Sequence, residues 1–541
     1  MPPVPGALFR SLQSYQIYGA NTNVGKTVVS TVLCKAIDQQ ATSKKVGFLK
    51  PVSTGPLDEA DDKHIERFVP GILNSCLYRF DEPVSPHIAA AQKTIPRAAE
   101  ILSSIHGTLS TWSNKGLSHA FIETAGGVHS PGPNGNSQAD LYRPLRLPVI
   151  LVADSRLGGI SSTVSAFESL LIRGYDVNGV LLFRDGYYKN HEYLKDFFQK
   201  HGIALLALDE PPQRPSTEDP ESRRRDQDAM SEYYRASAND MSVQHLLTEF
   251  SDRHRKRIEA LESMNNRAYD VVWYPFTQHQ GMTAKDLLTI DSAYGDYFQT
   301  TEVGRDTGNT NASVLRPTFD GSASWWTQGL GHGNPDLSLT AAYAAGRYGH
   351  VMFASAIHEP ALNLAELLVK NSGNPRLSKV FYTDNGSTGM EVAIKMGLRA
   401  SCSRYGWDAQ REEIGIIGLK GSYHGDTIGV MDCSEPSTFN SKVEWYRGRG
   451  HWFDFPQVKM VNGTWRVEIP EQLQSELGDD LEFESLDSVF DLDRRKHSET
   501  GKRYDEYLKS SISDLVHRQG RKIGAVILEP VILGAGGMLF A

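Results

Sequence analysis

"SYQIYGANTNVGKT", residues 14–27, places a short β-rich run, a Gly-containing turn and a Gly-Lys-Thr triplet in that order. In the usual phosphate loop four residues separate the first glycine from Gly-Lys-Thr. Here Ala20 holds that glycine's position and Gly19 stands one residue earlier. Apolar residues at Val28, Val29, Val32, Leu33 and Ala36 give the next segment one buried helical stripe. Strand, turn, helix is the order that lets backbone N–H groups of residues 21–28 converge on phosphate oxygens at a helix N-terminus. Lys26 then supplies a point charge and Thr27 a hydroxyl for Mg²⁺. A chance turn is the competing reading of the loop taken alone, and the flanking strand and helix favour nucleotide binding.

Outward from this loop, "VGFLKPV" (46–52), "HAFIE" (119–123), "LPVILVAD" (147–154), "VNGVLLF" (177–183) and "IALLAL" (203–208) are continuous apolar runs. Such runs belong to parallel strands covered on both faces. The stretches between them suit crossover helices, so residues 1–212 are expected to form an α/β, P-loop, doubly wound parallel sheet domain. Residues 213–270, rich in charge and Pro at the start, read as a charged linker and helix. The apolar residues from 242 to 264 recur at roughly helical spacing, so that stretch is either a linking helix or the last helix of the first domain. Residues 271–541 open a second α/β region, with strands expected at "LSKVFYTD" (377–384), "EIGIIGLK" (413–420) and "IGAVILEPV" (523–531).

Bulk properties narrow the classes. The 541 residues are 40% hydrophobic and carry a net charge of −9, with pI near 6.0 and mean hydropathy −0.38. An acidic balance argues against a nucleic-acid partner. No run approaches the roughly 18 apolar residues of a membrane span, so no membrane partner is expected. Cys34, Cys76, Cys402 and Cys433 lie far apart without metal-ligand spacing, which fits free thiols in a reducing, intracellular compartment. The opening "MPPVPGALFRSLQS" has one arginine and no acid, compatible with a very short organelle-targeting arm, although a strand from Ser14 leaves it little room.

Carboxylates complete the first site. Glu123 ends a strand just before the small residues "TAGG" (124–127), and strand ends in such sheets face the ligand crevice. Asp61 and Asp62 lie in an acidic loop after the second strand. With Thr27, one or both would give Mg²⁺ an oxygen shell; a helix cap or a solvated acid is the alternative for each alone.

"GANTNVGKT" (19–27), "LKPVSTG" (49–55), "EPVSPHIAA" (82–90), "IETAGGVHSP" (122–131) and "LPVILVADSRLGGI" (147–160) together resemble dethiobiotin synthase in order and approximate spacing. That family has five residues between its first glycine and Gly-Lys-Thr, which is the spacing from Gly19 to Gly25. The resemblance implies an ATP- and Mg²⁺-dependent ligase that converts 7,8-diaminopelargonate and CO₂ (bicarbonate) to dethiobiotin. Lys26 would serve the ATP phosphates and the transferring group, and Lys50 the carbamate and γ-phosphate. Thr22, Asn23, Val24, Gly25, Lys26, Thr27, Val28, Glu123 and Gly126 would bind nucleotide, with "LDEPP" (208–212) and its Pro211 and Pro212 on the adenine side. Thr54, Gly126 and Gly127 join Lys50 as substrate contacts, and Thr27, Asp61 or Asp62, and Glu123 as metal ligands. Bacterial relatives often place Asn after the strand that here ends Leu182-Phe183-Arg184, so base recognition departs from the pattern. Another P-loop carboxylate/amine ligase, or a nucleotide-dependent switch ATPase, is the alternative; Lys50 and Thr54 are unneeded in a simple switch.

In the second half, "DNGSTGMEVAIKM" (384–396) reads as strand, small residues, helix: a phosphate cradle without lysine, or a helix capped by Ser387 or Thr388. With "WYPFTQH" (273–279), "DGSASWWTQGLGHGNP" (320–335), "GSYHGDTIG" (421–429) and "LEPVILGAGGM" (528–538), it resembles the class III, fold-type I pyridoxal 5'-phosphate aminotransferases, most closely the diaminopelargonate enzyme. The resemblance implies that Gly386, Ser387 and Thr388 hold the cofactor phosphate and that Tyr423, followed by His424, stacks on its ring. Trp326 would line the substrate pocket and Glu529 would lie near ring and substrate. That family's pyridinium-pairing Asp and Schiff-base Lys come after the Glu-Pro strand, and the sequence stops at Ala541. The expectation is therefore an incomplete, inactive aminotransferase half in a chain resembling the bifunctional biotin-pathway proteins of plants and fungi. The resemblance also implies a homodimer and a mitochondrial location, with the cytoplasm as the alternative.

Overall fold

A computed structural model describes residues 3–40, 45–91, 94–213, 219–275, 277–301, 311–351 and 354–541. Met1 and Pro2 of the N-terminal arm, residues 214–218 of the charged stretch and Phe276 of the "WYPFTQH" motif lie outside them. The chain divides into two compact units, Met1–Val351 and Met352–Ala541.

The first unit is built on seven strands: β1 (Gln13–Gly19), β2 (Val46–Thr54), β3 (Leu73–Phe80), β4 (His119–Gly127), β5 (Val149–Val152), β6 (Val177–Phe183) and β7 (Ala204–Leu208). They order as β3-β2-β4-β1-β5-β6-β7, with every pairing parallel. After β1 the chain runs to β2, on the far side of β4, and after β4 it crosses β1 to β5. The carboxyl ends of β1, β4 and β5 therefore flank the point where the direction of winding reverses, the place where open sheets bind ligands. Six strands sit where the apolar runs predict. The exception, β3, is an edge strand whose residues are mostly half-buried, and its Asn74, Ser75 and Arg79 break any apolar run.

Two readings of the flanks change. The N-terminal arm is part of the core: Ala7, Leu8, Phe9 and Leu12 are buried, and Val314 N donates to Leu8 O at 2.6 Å. The stretch read as a linker forms two helices, Pro220–Asn239 and Met241–Val271, started by Asp219 and Asp240, whose carboxylates accept first-turn N–H groups. Most of their charged residues face solvent. Their Met230, Tyr234, Ala238, Val243, Leu246, Leu247 and Phe250 join one apolar core with Val29, Val32 and Leu33 of helix α1 (Lys26–Asp38). Gly179 of β6 makes room for this packing, because a Cβ there would fall 2.7 Å from the Phe250 ring.

The first unit also holds the antiparallel strands Thr289–Tyr294, Tyr297–Thr301 and Leu315–Phe319. Buried Asp291 accepts from Arg146 Nε and Arg257 Nη2, both at 2.8 Å. The compact unit runs to Val351, beyond residue 212, the expected end of the first domain, and beyond residue 271, the expected start of the second region.

In the second unit, Ile414–Leu419 pairs in parallel with both Gly450–Phe453 and Lys522–Val526. The strand expected over residues 377–384 does not form. Those residues are mostly exposed and have no ladder partner among the described residues. Among the described residues no helix is long and apolar enough to cross a membrane.

Phe250→Ala should test the added helices. Emptying a fully buried aromatic site costs about 3–5 kcal/mol, read as a lower urea midpoint for unfolding of the first unit. A midpoint within error of the parent's would show that these helices are not part of its core.

Candidate functional site

Because β1 ends at Gly19 and α1 begins at Lys26, the intervening loop must turn sharply over the sheet's carboxyl edge. Asn23 and Gly25 take positive φ, 58° and 84°, and Gly25 is the N-cap of α1. Only glycine fits there: the conformation is left-handed, and a Cβ would fall 2.3 Å from the Phe183 ring. No side chain caps α1, so its first-turn N–H groups stay directed at the crevice. Val24 is buried under the loop, and Thr22 N donates to Asn21 Oδ1 at 2.8 Å.

A charged cluster lies beside the loop. Lys50, in mid-β2 and 3% exposed, donates from Nζ to Asp61 Oδ2 (2.6 Å), Glu123 Oε1 (2.9 Å) and Thr124 O (3.2 Å). Thr27 Oγ1 donates to Asp61 Oδ1 at 2.6 Å and lies 3.2 Å from Glu123 Oε1. Ser30 Oγ, one turn further along α1, donates to Glu123 Oε2 at 2.6 Å. Burial alone would push the Lys50 ammonium down, but the carboxylates of Glu123 and Asp61 outweigh it and hold its pKa above the usual lysine value. Burial likewise pushes Asp61 up, and the Lys50 charge outweighs it, leaving Asp61 below its usual value. Lys26, 8% exposed, is pushed down to about 8 by burial and then by the charge of Lys50.

The two aspartates separate. They open the helix α2 (Asp61–Phe68) and do not lie in a loop. Asp61 turns to Thr27 and Lys50, while both oxygens of Asp62 accept from Arg79 Nη2 at 2.7 Å. Adjacent helix residues point about 100° apart, so one helix cannot aim both at the same site.

Glu123 is interior to β4, which continues through Gly127. Gly126 has φ 78°, and a Cβ there would meet Ser130 Oγ at 2.3 Å; Gly127 N donates to the same hydroxyl at 2.8 Å. Thr54 ends β2 on the strand face of Lys50, four residues back. Pro211 and Pro212 follow β7, three strands and about 14 Å from β1. A ligand that starts on Lys26 would have to extend that far to reach them. Sequence reading missed Ser30, although its spacing from Thr27 puts the two on one face of α1. Among the described residues no group of three or more His, Cys, Asp or Glu side chains is arranged to hold a metal; the oxygen cluster here is two carboxylates and hydroxyls.

In the second unit, the helix Gly386–Tyr405 begins at the small-residue turn, and its cap is Asn385, whose Oδ1 accepts Thr388 N at 2.9 Å. Ser387 and Thr388 are therefore not the capping residues. Ser387 Oγ accepts Asp426 N at 3.2 Å, Tyr423 N donates to Glu529 Oε1 at 2.9 Å, and Gly534 N donates to Glu529 Oε2 at 2.6 Å. Residues 386–388, the Tyr423 loop and Glu529 are thus brought together. His424 is buried, and its Nε2 has no hydrogen-bond partner among the described residues. Trp326 belongs to the first unit, where it is 68% exposed. It closes a run of left-handed residues, 323–326, beside Asp320, which accepts from Ser324 Oγ and His332 Nε2, both at 2.8 Å.

Residues 13–216 match the AAA domain family, and residues 316–541 match the aminotransferase class-III family. Over 540 residues the chain is 64% identical to the bifunctional dethiobiotin synthetase/adenosylmethionine-8-amino-7-oxononanoate aminotransferase of Emericella nidulans, covering 100% of this chain and 68% of that protein. It is 33% identical to the mitochondrial bifunctional dethiobiotin synthetase/7,8-diamino-pelargonic acid aminotransferase of Oryza sativa subsp. japonica, covering 97% of this chain and 70% of that one. The Arabidopsis thaliana protein of the same description is 34% identical, at 97% and 69% coverage.

The state of Lys26 gives a pH test. In the ligand-free fold it is charged below about pH 8 and neutral above. Above that pH an anionic ligand must recruit a proton as it binds. Affinity for ADP should then fall by about tenfold per pH unit, by calorimetry, and Lys26→Arg should flatten the profile. A flat profile in the parent would show that Lys26 does not meet the phosphates.

Proposed function

We propose that this chain, which belongs to the bifunctional dethiobiotin synthetase/aminotransferase family, forms dethiobiotin from 7,8-diaminopelargonate, CO₂ and ATP at the Lys26–Lys50 site. The observation that carries this reading is the buried Lys50 ammonium between Asp61 and Glu123, with Thr27 hydrogen-bonded to the same two carboxylates. A plain phosphate loop needs only Lys26 and Thr27. A second buried cation beside them suits a reaction that brings two anions together.

The chemistry has three steps. One substrate amine adds to CO₂ and loses a proton, giving a carbamate. A carbamate oxygen attacks the γ-phosphorus of ATP, and ADP leaves. The second amine attacks the carbonyl carbon, phosphate leaves with the C–O electron pair, and the ureido ring closes. Lys26 holds the phosphates as they approach, its charge restored by the anion it meets. Lys50, kept protonated by its carboxylates, faces the carbamate and the transferring phosphoryl group. The α1 N-terminus adds backbone N–H groups along the phosphates. Thr54, Gly126 and Gly127 bound the diamine side, and Pro211 and Pro212 the base side.

Mg²⁺ fits this donor set. Asp61 Oδ1 and Glu123 Oε1 are hard oxygens that both lie within hydrogen-bond reach of a third, Thr27 Oγ1. These residues would hold the ion, whose contribution is to offset phosphate charge.

For residues 316–541, Gly386, Ser387, Thr388, Tyr423, His424 and Glu529 would receive pyridoxal 5'-phosphate. The buried His424 Nε2, without a hydrogen-bond partner among the described residues, and the small residues that open the Gly386–Tyr405 helix suit a phosphorylated ring. The cofactor supplies an electron sink for amine chemistry; the residues on this chain seat and orient it. For Trp326 the resemblance alone implies a substrate-pocket role. A mitochondrial location, as in the names of the two plant relatives, belongs to the same reading, as does a homodimer implied by the resemblance.

Purified protein should form dethiobiotin only when diaminopelargonate, ATP, Mg²⁺ and bicarbonate are all present. Lys50→Met should lower kcat by about 10²–10³-fold while ADP binding persists. Folded parent protein that forms no dethiobiotin would overturn the reading.

A further inference from the structure

We infer that the helix Pro220–Asn239 positions the nucleotide site through two adjacent tyrosines: Tyr234 fixes the helix that carries Asp61, and Tyr233 fixes the loop after β7. The inference rests on the nucleotide reading above and extends it to residues outside the sheet.

Helix Pro220–Asn239 is anchored on the helix of the phosphate loop. Met230, Tyr234 and Ala238 are buried in the core that also holds Val29, Val32 and Leu33 of α1. From that footing Tyr234, fully buried, reaches α2: its hydroxyl lies 2.7 Å from His64 Nε2. Its ring also packs against Phe68, with centroids 5.0 Å apart. His64 follows Asp61 by three residues, one turn along the same face of a helix only eight residues long. So short a helix has little propensity of its own, and its rotation is set by what its side chains touch. Arg79 holds it through Asp62 on one side, and Tyr234 holds it through His64 on the other. Between these two restraints Asp61 is presented to Thr27 and Lys50.

Tyr233 points about 100° away from Tyr234, as consecutive helix residues must. Its hydroxyl donates to Asp209 O at 2.7 Å, within the loop that leads to Pro211 and Pro212. That loop is also tied to the end of β6, where Arg184 N donates to Leu208 O at 2.7 Å. One helix thus holds the metal-side carboxylate and the far loop in a common frame, resting on α1. Neither tyrosine touches reacting atoms; both are positioning residues.

The test is calorimetric binding of ADP to the full chain, with and without Mg²⁺. In the parent, Mg²⁺ should strengthen ADP binding. Tyr234→Phe removes one oxygen and should reduce that Mg²⁺-dependent gain about five- to tenfold, leaving metal-free ADP affinity unchanged. Tyr233→Phe should do the reverse, weakening ADP by a similar factor with the Mg²⁺ gain intact. His64→Leu removes the first contact from its other partner and should reproduce Tyr234→Phe, which covers a variant that fails to fold. Parent-like binding in the Tyr234 and His64 variants, or equal loss of both affinities in all three, would overturn the inference. A parent that binds no ADP would instead overturn the nucleotide reading, and the inference with it.

Discussion

A buried ammonium is the constraint on which the first site depends. Lys50 sits in the middle of a strand covered on both faces, where an unpaired charge would cost several kcal/mol. Its burial is tolerable because Asp61, Glu123 and the Thr124 carbonyl surround it. Those partners come from α2 and β4, and both carboxylates are tied in turn to α1 through Thr27 and Ser30. Satisfying one cation therefore brings β2, β4, α1 and α2 to a single point. The point lies at the carboxyl edge of the sheet, where the strand order reverses.

The same cluster sets two lysines in opposite states. Lys50 stays protonated because two carboxylates hold its proton. Lys26 is buried beside that charge with less compensation, and its affinity for a proton falls to about 8. One cation is permanent, and the other responds to the arrival of an anion.

Much of this was legible in the sequence. Lys50 is reached only through the family resemblance, whereas the loop at residues 19–27 and Glu123 are recognisable because strand–turn–helix order and an acid closing an apolar run are local patterns. Six strands of the main sheet are visible for the same reason. The edge strand Leu73–Phe80 is not, since one side of it lacks a neighbour and its residues need not be apolar. The helix Pro220–Asn239 is hidden by its charged face, and only the helical spacing of the apolar residues from 242 to 264 signals Met241–Val271. Their buried residues are sparse enough that composition reads as linker, although Tyr234 and Phe250 are fully buried. Residues 377–384 show the converse: a run with strand composition remains irregular when no neighbour completes its hydrogen bonds.

By itself the sequence determined the local pattern: a five-residue loop before Gly-Lys-Thr, a second lysine within one apolar run, and an acid at the end of another. Only the tertiary structure decided which acid takes part. Asp61 and Asp62 are chemically identical neighbours, and the rotation of α2, held between Arg79 and Tyr234, turns one into the site and the other away. Ser30 and Tyr234 gain their places in the same manner. Local pattern encodes local backbone. Which side chains meet across 34, 93 or 170 residues is settled by strand order and helix rotation, and these follow from packing of the whole core.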